Sequence, residues 1–200
     1  ERLLASYDAE RRPVFRSTVD DFIAKSIEND KQFLAACDPA VDKEKFESAW
    51  EQRAKGAIGE VNAFEPHYAG SPIVSSGHAS PQPCSSVGSH QFDARAGHHL
   101  APALLSSGKN VFESLGAGYT LLALGEGLLE ADISRFEAAA NKRGLPLTII
   151  REAGTEETQR YQARWVLVRP DHFVAWVAHD AVLSAAVVEE VLAVVSGAND

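Results

Sequence analysis

The feature that most limits the possible folds is a change of hydrophobic pattern after Phe112. The stretch YTLLAL, residues 119–124, is continuously apolar, as in a strand that is buried on both faces. A helical pattern follows over residues 128–142, and a second apolar strand follows over residues 145–151. Because a strand, a helix and a second strand in this order form a parallel pair, the pattern predicts an α/β domain.

The end of the chain adds a hairpin and a helix to this pattern. Residues 164–178, RWVLVRPDHFVAWVA, contain two apolar runs, and Pro170 and Asp171 suit the second and third positions of a turn between them. Residues 181–197 are apolar at helical spacing and end at a glycine. The full order of elements predicts a thioredoxin-like fold, in which the turn places Trp176 in the core.

The first part of the chain is predicted to be helical. Apolar residues recur at three- and four-residue steps over residues 2–27, and Pro13 is expected to kink this helix or to separate two helices. A second helix is expected to start after Asp38 or Asp42 as its N-cap and to end at Gly56. We expect this second helix to pack beside the first.

A stretch rich in small and turn-forming residues separates these two halves. Over residues 71–90, twelve of twenty residues are Ser, Pro or Gly, which predicts an ordered surface loop or a crossing between two units. We therefore divide the chain into three segments. They are a helical segment at 1–60, a loop-rich connection at 61–110 and a thioredoxin-like domain without a Cys-x-x-Cys motif at 111–200.

Composition disfavours nucleic acid and membrane as partners. The net charge is −9, and the 19 basic residues are scattered along the chain. No apolar run approaches the roughly 18 residues of a membrane span, and the N-terminus lacks the features of a signal peptide.

Cys37 and Cys84 lie far apart in the sequence, which favours reduced thiols in a cytoplasmic protein, although a single disulfide between them stays an open alternative. Methionine is absent, so we expect a C-terminal piece of a longer protein.

The sequence GEGLLEADISRF, residues 125–136, has the Gly-x-Gly of a dinucleotide-binding loop between a strand and a helix. Glu130 occupies the third glycine position, and Glu126, Glu130 and Asp132 place negative charge where a pyrophosphate would bind. The sequence therefore disfavours a nucleotide site here. A thioredoxin carries its reactive cysteines at this junction, and neither cysteine of this chain lies near it.

A histidine metal site is one alternative. Five of the seven histidines fall in one part of the chain, namely His67, His78, His90, His98 and His99. His98 and His99 are adjacent, so in an extended chain their side chains point to opposite faces, and no His-x-His or His-x-x-x-His spacing occurs. The Gly-x-Ser-x-Gly of a serine hydrolase is also absent. We therefore expect no metal site and no serine-hydrolase site.

Several stretches resemble consecutive blocks of one enzyme family. LLASYDAERRPV, residues 3–14, resembles the segment that follows the FAD-binding domain of flavin-dependent aromatic hydroxylases. FEPHYAGSPIV, ARAGHHLAPALL, NVFESLGAGYTLLAL and VLVRPDHFVAW resemble the C-terminal region of phenol-hydroxylase-type monooxygenases, in the family's order. The resemblance implies a thioredoxin-like C-terminal domain without redox cysteines.

The resemblance also implies the chemistry of the parent enzyme. That enzyme binds FAD, takes a hydride from NADPH or NADH, and forms with O₂ a flavin hydroperoxide that hydroxylates a phenolic or other aromatic ring. The family's FAD-binding and catalytic motifs all precede residue 1, so the segment 1–60 is expected to continue from an absent FAD-binding domain. The fragment itself is expected to hold no cofactor, to be structural or to serve assembly, and to be inactive alone.

Six residues of the family blocks are candidate contacts to the absent FAD-binding domain: Tyr7, Arg11, Arg12, Arg95, His98 and His99. The three arginines suit bidentate carboxylate or carbonyl partners at such a junction. Gly97 is expected to allow a close backbone approach. Beside these scaffold roles, a part in the substrate entrance or in a dimer contact stays open. A second hypothesis is an independent dimerisation or protein-binding module, driven by the exposed apolar helix face.

Overall fold

The computed structural model describes residues 2–76, 82–128, 130–180 and 182–197. These residues form two compact units. Unit 1 consists of Glu1–Glu10, Tyr68–Cys84 and Gln91–Asp200, and unit 2 consists of Arg11–His67 and Ser85–His90. The division of the chain at residues 60 and 110 stays a prediction, because compact packing does not show which segments fold independently.

The first helices form as predicted, but Pro13 lies inside one of them. Helix α1 is Arg2–Ser17, a π-helical segment follows at Thr18–Ile23, and α2 is Ala24–Ala36. Of our two alternatives, a separation into two helices at Pro13 is wrong, since a proline removes only one helical hydrogen bond and α1 continues through it. A kink of α1 at Pro13 stays a prediction. No helix among the described residues is long and apolar enough to cross a membrane.

Helix α3, Lys43–Ala63, confirms the predicted N-cap and corrects the predicted end. Asp42 Oδ1 accepts a hydrogen bond from the N–H of Lys45 at 3.0 Å, as an N-cap side chain does. The helix continues beyond Gly56, where we expected it to end. A glycine at an exposed helical position costs only about 1 kcal/mol, so neighbouring residues with better helix propensity carry the helix across it.

A short two-stranded sheet lies in the region that we predicted to be a loop. Strand β1, Phe64–His67, pairs antiparallel with β2, Ser85–Val87. Three residues are too few to show an alternating pattern, so β2 gives no signal in the sequence. His78, with the rest of residues 77–81, lies outside the described residues.

A mixed four-stranded sheet confirms the predicted α/β class. Its strands are β3, Tyr119–Leu124; β4, Leu147–Glu152; β5, Trp165–Val168; and β6, Val174–Ala178. Their spatial order is β4-β3-β5-β6, with β3 parallel to β4 and the other two pairs antiparallel. This arrangement contains the parallel pair and the hairpin that the sequence predicts. The thioredoxin-like assignment stays a prediction.

Four helices accompany this sheet, two of them short. They are α4, Val111–Ser114; α5, Glu130–Lys142; α6, Glu156–Gln159; and α7, Ala185–Val195. On one face of the sheet, α5 and α7 cover a core in which the rings of Phe136 and Trp176 lie 5.7 Å apart, so the predicted core position of Trp176 is confirmed. On the other face, Tyr161 and residues of the loop before β3 form a second core. Every described member of both cores belongs to unit 1.

The two cysteines are free thiols, as predicted. Cys37 and Cys84 are both buried, and neither forms a disulfide. Burial raises the pKa of the Cys84 thiol, so this side chain stays protonated at neutral pH. The cytoplasmic location that we inferred from the cysteines stays a prediction.

Candidate functional site

A buried arginine, Arg169, is paired with a glutamate from the start of the chain. Arg169 follows β5 and begins the turn to β6, and Glu10 lies on α1. The guanidinium Nη1 is 2.5 Å from Glu10 Oε1, and Nη2 is 3.0 Å from Oε2. The two side chains are only 8% and 4% exposed. Buried charges persist only when they are paired and hydrogen-bonded, so each of these residues depends on the other.

Asp171 supplies a second carboxylate to the same guanidinium. Its Oδ1 accepts a hydrogen bond from Arg169 Nε at 3.1 Å, and its Oδ2 accepts one from Nη2 at 2.9 Å. Burial alone lowers the pKa of Arg169, but the hydrogen bond to Glu10 and the charge of Asp171 outweigh burial and raise it. The guanidinium is therefore a permanent cation between two carboxylates.

Ser71 and Tyr68 also contact this group of charged residues. We call the five residues together the Arg169 cluster: Glu10, Tyr68, Ser71, Arg169 and Asp171. Ser71 Oγ donates a hydrogen bond to Glu10 Oε1 at 2.5 Å. The Tyr68 ring is 1% exposed, and its centroid lies 5.6 Å from the guanidinium carbon of Arg169. The charged groups of the cluster are directed at one another. This is the arrangement of a structural anchor, whereas a catalytic base needs a free approach for its substrate.

Gly97 brings another segment against the cluster. Its carbonyl oxygen accepts a hydrogen bond from Tyr68 N at 2.6 Å, and its N–H donates to Val174 O at 2.7 Å. A Cβ at this position would lie 2.4 Å from the Cα and N atoms of Ala69, and φ is +85°. The close backbone approach that we expected at Gly97 is confirmed.

Four of the five blocks of the family resemblance meet here. The block LLASYDAERRPV supplies Glu10, and FEPHYAGSPIV supplies Tyr68 and Ser71. ARAGHHLAPALL supplies Gly97, and VLVRPDHFVAW supplies Arg169 with its turn. The Arg169 cluster and Gly97 therefore bring together four stretches that resemble the family and that lie far apart in the sequence.

The candidate contact residues Tyr7, Arg11, Arg12 and Arg95 lie outside the Arg169 cluster. Tyr7, in unit 1, is 64% exposed, and Arg11 and Arg12, in unit 2, are also exposed. Arg95 is half-buried, with its Nε 3.7 Å from Asp93 Oδ1. A contact of these residues with an FAD-binding domain stays a prediction.

The adjacent histidines His98 and His99 have different surroundings. His98 lines a cleft of about 400 Å³ together with Arg95 and His179. His99 is exposed, its Nδ1 lies 2.9 Å from Leu100 O, and its ring is 5.9 Å from that of His172. In the part of the chain that the structure describes, no three His, Cys, Asp or Glu side chains are grouped as metal ligands would be.

Glu10 and Arg169 were not among our candidate residues, although both lie in stretches that carry the family resemblance. We considered their neighbours Arg11, Arg12 and Asp171 instead. The pair is separated by 159 positions, and no local pattern relates residues at such a distance. The sequence gives only one indication of a buried pair: Arg169 directly follows the apolar run of β5, where a charged side chain needs a partner. It does not indicate which residue that partner is.

The turn between β3 and α5, which carries the Gly-x-Gly sequence, does not fit FAD. Asp132 is fully buried there, and its Oδ2 accepts a hydrogen bond from Leu183 N at 3.2 Å. Glu130 forms an ion pair with Arg151 at 2.5 Å. Both acids lie in the first turn of α5, so their charge already occupies the helix end where a pyrophosphate would bind.

Comparison with known proteins identifies the family. Residues 93–198 match the family model described as aromatic-ring hydroxylase, C-terminal. The chain belongs to this aromatic-ring hydroxylase C-terminal family. The FAD-dependent monooxygenase apdD of Emericella nidulans is 35% identical to it over 103 residues, which are 50% of this chain and 16% of that protein. The resemblance to flavin-dependent aromatic hydroxylases is thus confirmed.

Solved structures of flavin enzymes contain a region with the same fold as this chain. RebC, the rebeccamycin biosynthetic enzyme solved with reduced flavin, is 26% identical with a TM-score of 0.73, covering 98% of this chain and 37% of RebC. Aklavinone-11 hydroxylase, solved with FAD and aklavinone, is 26% identical with a TM-score of 0.53, covering 67% and 26% of the two chains. The chain therefore spans well under half the length of these relatives.

Proposed function

We propose that the chain is the C-terminal part of an FAD-dependent monooxygenase that hydroxylates phenolic or other aromatic compounds with O₂ and NADPH or NADH. The match of residues 93–198 to the aromatic-ring hydroxylase family carries this proposal. Relatives described with FAD or reduced flavin support it. When FAD is bound in such an enzyme, it supplies the oxygen-activating chemistry.

Within that enzyme, the role of this chain is structural. The charged side chains of the Arg169 cluster are paired with one another, and the acids at the start of α5 bind protein groups. Within unit 1, these residues fix the positions of Glu10 on α1, the hairpin turn and the loop at Gly97. FAD is held by other parts of the enzyme, and the chain alone is inactive.

Unit 2 provides apolar surface for packing on the FAD-binding part of the enzyme. The segments Thr18–Ile23 and Ala24–Ala36 contain no buried side chain. A groove of about 530 Å³ is lined by Phe22, Ile23, Ser26, Ile27, Val61 and Phe64. Ile23, Ile27 and Val61 are 49%, 50% and 70% exposed. Exposed apolar patches of this kind mark interaction sites, and the FAD-binding part is the partner that we assign to the groove.

A turnover assay tests whether the chain alone is inactive, as its proposed structural role requires. The chain is incubated in air with FAD, phenol, and NADPH or NADH, and oxidation of the nicotinamide is followed by absorbance. The expected rate equals that of free FAD without protein, because acids occupy the start of α5 and the charges of the Arg169 cluster are paired with one another. Heat-denatured chain is the control. Hydroxylated product that depends on the native chain would overturn the structural role.

An independent dimerisation module is the second candidate function. One observation favours it: among the described residues, no strand pairs with the outer side of β4, which lies at one end of the main sheet. This candidate does not exclude the first, since a C-terminal part of an enzyme can also carry its dimer contact.

A further inference from the structure

A pocket of about 250 Å³ lies where the two parallel strands of the main sheet end. β3 ends at Leu124 and β4 ends at Glu152. The residues that follow the two strands line the pocket, namely Gly125, Ala153 and Gly154, and the loop that leads into β5 lines its other side. Ligands of open α/β sheets bind in such a crevice outside the carboxyl ends of the strands. All the described lining residues belong to unit 1.

Among the described lining residues, Arg164 carries the only charge. Its guanidinium donates one hydrogen bond, from Nη2 to the carbonyl oxygen of Glu126, and its Nε is buried without an acceptor. In the part of the chain that the structure describes, no ion pair involves Arg164. Most of the N–H groups of this guanidinium can therefore donate to a ligand.

Three other arginines of unit 1 have carboxylate partners. Arg143 Nη1 lies 2.6 Å from a carboxylate oxygen of Glu189. Arg151 and Arg169 form the ion pairs described above. The guanidinium of Arg164 is half-buried, so it has lost part of its hydration without gaining a carboxylate. A cation in this state favours an anion from outside the protein.

The nearby carboxylates are bonded to other segments of the chain. Glu152 Oε2 accepts hydrogen bonds from N and Oγ of Ser106 at 2.9 and 3.1 Å, and Glu157 Oε2 accepts one from Leu104 N at 2.5 Å. Helix α5, with its acidic first turn, packs on the first core, whereas Leu124, which lines the pocket, belongs to the second core on the other face. The described lining thus contains a cation and no acid.

The backbone around the pocket adopts conformations that are rare outside functional sites. Gln162 has φ +53° although it is not a glycine, and its carbonyl oxygen accepts a hydrogen bond from His179 Nδ1 at 2.7 Å. Residues in such conformations persist where the surrounding structure fixes them, and they cluster at binding sites. On the other side, a Cβ at Gly125 would lie 3.9 Å from the guanidinium carbon of Arg164, so a larger residue there would cover the cation.

We propose that this pocket binds a small organic carboxylate, whose oxygens accept hydrogen bonds from Arg164 and whose apolar part lies against Leu124, Ala153 and Ala163. The planar fork of a guanidinium matches a carboxylate, and the apolar walls beside it favour a ligand with an apolar body. The volume is below the roughly 300–1,000 Å³ of pockets for drug-sized ligands, so the site suits a molecule as small as benzoate and is too small for FAD. The site needs only unit 1, so it does not rest on the proposed function.

Isothermal titration calorimetry with benzoate tests the class of ligand. The chain is expected to bind benzoate saturably at a single site. Benzamide has the same shape without the charge, and it is expected to bind at least about tenfold more weakly because it loses the charge-assisted hydrogen bonds. Inorganic phosphate has the charge without the apolar body, and the same weakening of about tenfold or more is expected. Absence of saturable benzoate binding, or benzamide or phosphate binding as tightly as benzoate, would overturn the proposal.

Three variants place the binding in this pocket. Arg164→Met is expected to weaken benzoate binding at least about tenfold. Arg160→Met is the matched control, since Arg160 is exposed, follows α6 and does not line the pocket, and it is expected to change the Kd by less than about twofold. Ala153→Leu narrows the pocket from an exposed position and is expected to weaken binding like Arg164→Met, so it serves if that variant does not fold. Benzoate binding that survives either folded pocket variant, or that Arg160→Met weakens equally, would contradict the proposed site.

Discussion

Replacing Arg169 with methionine is expected to lower the free energy of unfolding of the chain by about 3–5 kcal/mol. The substitution leaves Glu10 buried without its cation, and removing one partner of a buried ion pair typically costs this much. Ser71 still donates to Glu10, but a neutral hydroxyl does not replace the charge of a guanidinium. Urea unfolding followed by circular dichroism measures the change.

Two further variants separate the buried pair from general effects of losing an arginine. Arg160→Met removes an exposed arginine that lies over the Phe92 ring, and it is expected to cost at most about 1 kcal/mol. The double variant Glu10→Leu with Arg169→Met removes both buried charges and is expected to recover much of the lost stability. An Arg169→Met variant as stable as Arg160→Met would show that the Arg169 cluster does not anchor the fold.

Gly97→Ala is expected to destabilise the chain by roughly 2–4 kcal/mol, for two reasons that add. An alanine in the left-handed conformation costs about 1–2 kcal/mol, and the new Cβ would overlap the backbone of Ala69. Backbone atoms cannot rotate away as a flexible side chain can. Thermal unfolding measures the loss as a lower Tm.

Gly108→Ala is the matched control for this variant. Gly108 also has a left-handed φ, +78°, but a Cβ there would meet nothing within 4 Å. Only the conformational cost of about 1–2 kcal/mol is therefore expected. Equal losses of stability in the two variants would contradict the close packing that we describe at Gly97.

The parts of the fold that depend on local patterns could be predicted from the sequence. The six-residue run YTLLAL gives β3 with its observed bounds, because an apolar run between two glycines, Gly118 and Gly125, marks a strand buried on both faces. Asp42 is recognisable as an N-cap because its side chain bonds within the next turn of helix. The buried position of Trp176 could be predicted from the hairpin, since the turn fixes which residues of the following strand face the core.

The parts that depend on distant contacts could not be predicted. The pairing of Arg169 with Glu10 joins residues that no sequence period relates, and the resemblance drew attention to neighbouring arginines instead. β2 is too short to show a period, and α3 passes Gly56 because the glycine's cost is small beside that of ending a helix. The sequence thus identified the stretches that form the candidate site. The contact between them, the ion pair of Glu10 with Arg169, was found only in the structure.

Equilibrium dialysis of the chain against FAD tests the central claim most directly, which is that this family member is a structural part of a flavin enzyme and holds no flavin itself. Retained FAD is read from its visible absorbance, with a protein-free chamber as the control. Equal FAD concentrations are expected on both sides of the membrane. Stoichiometric, saturable retention of FAD by the folded chain would contradict it.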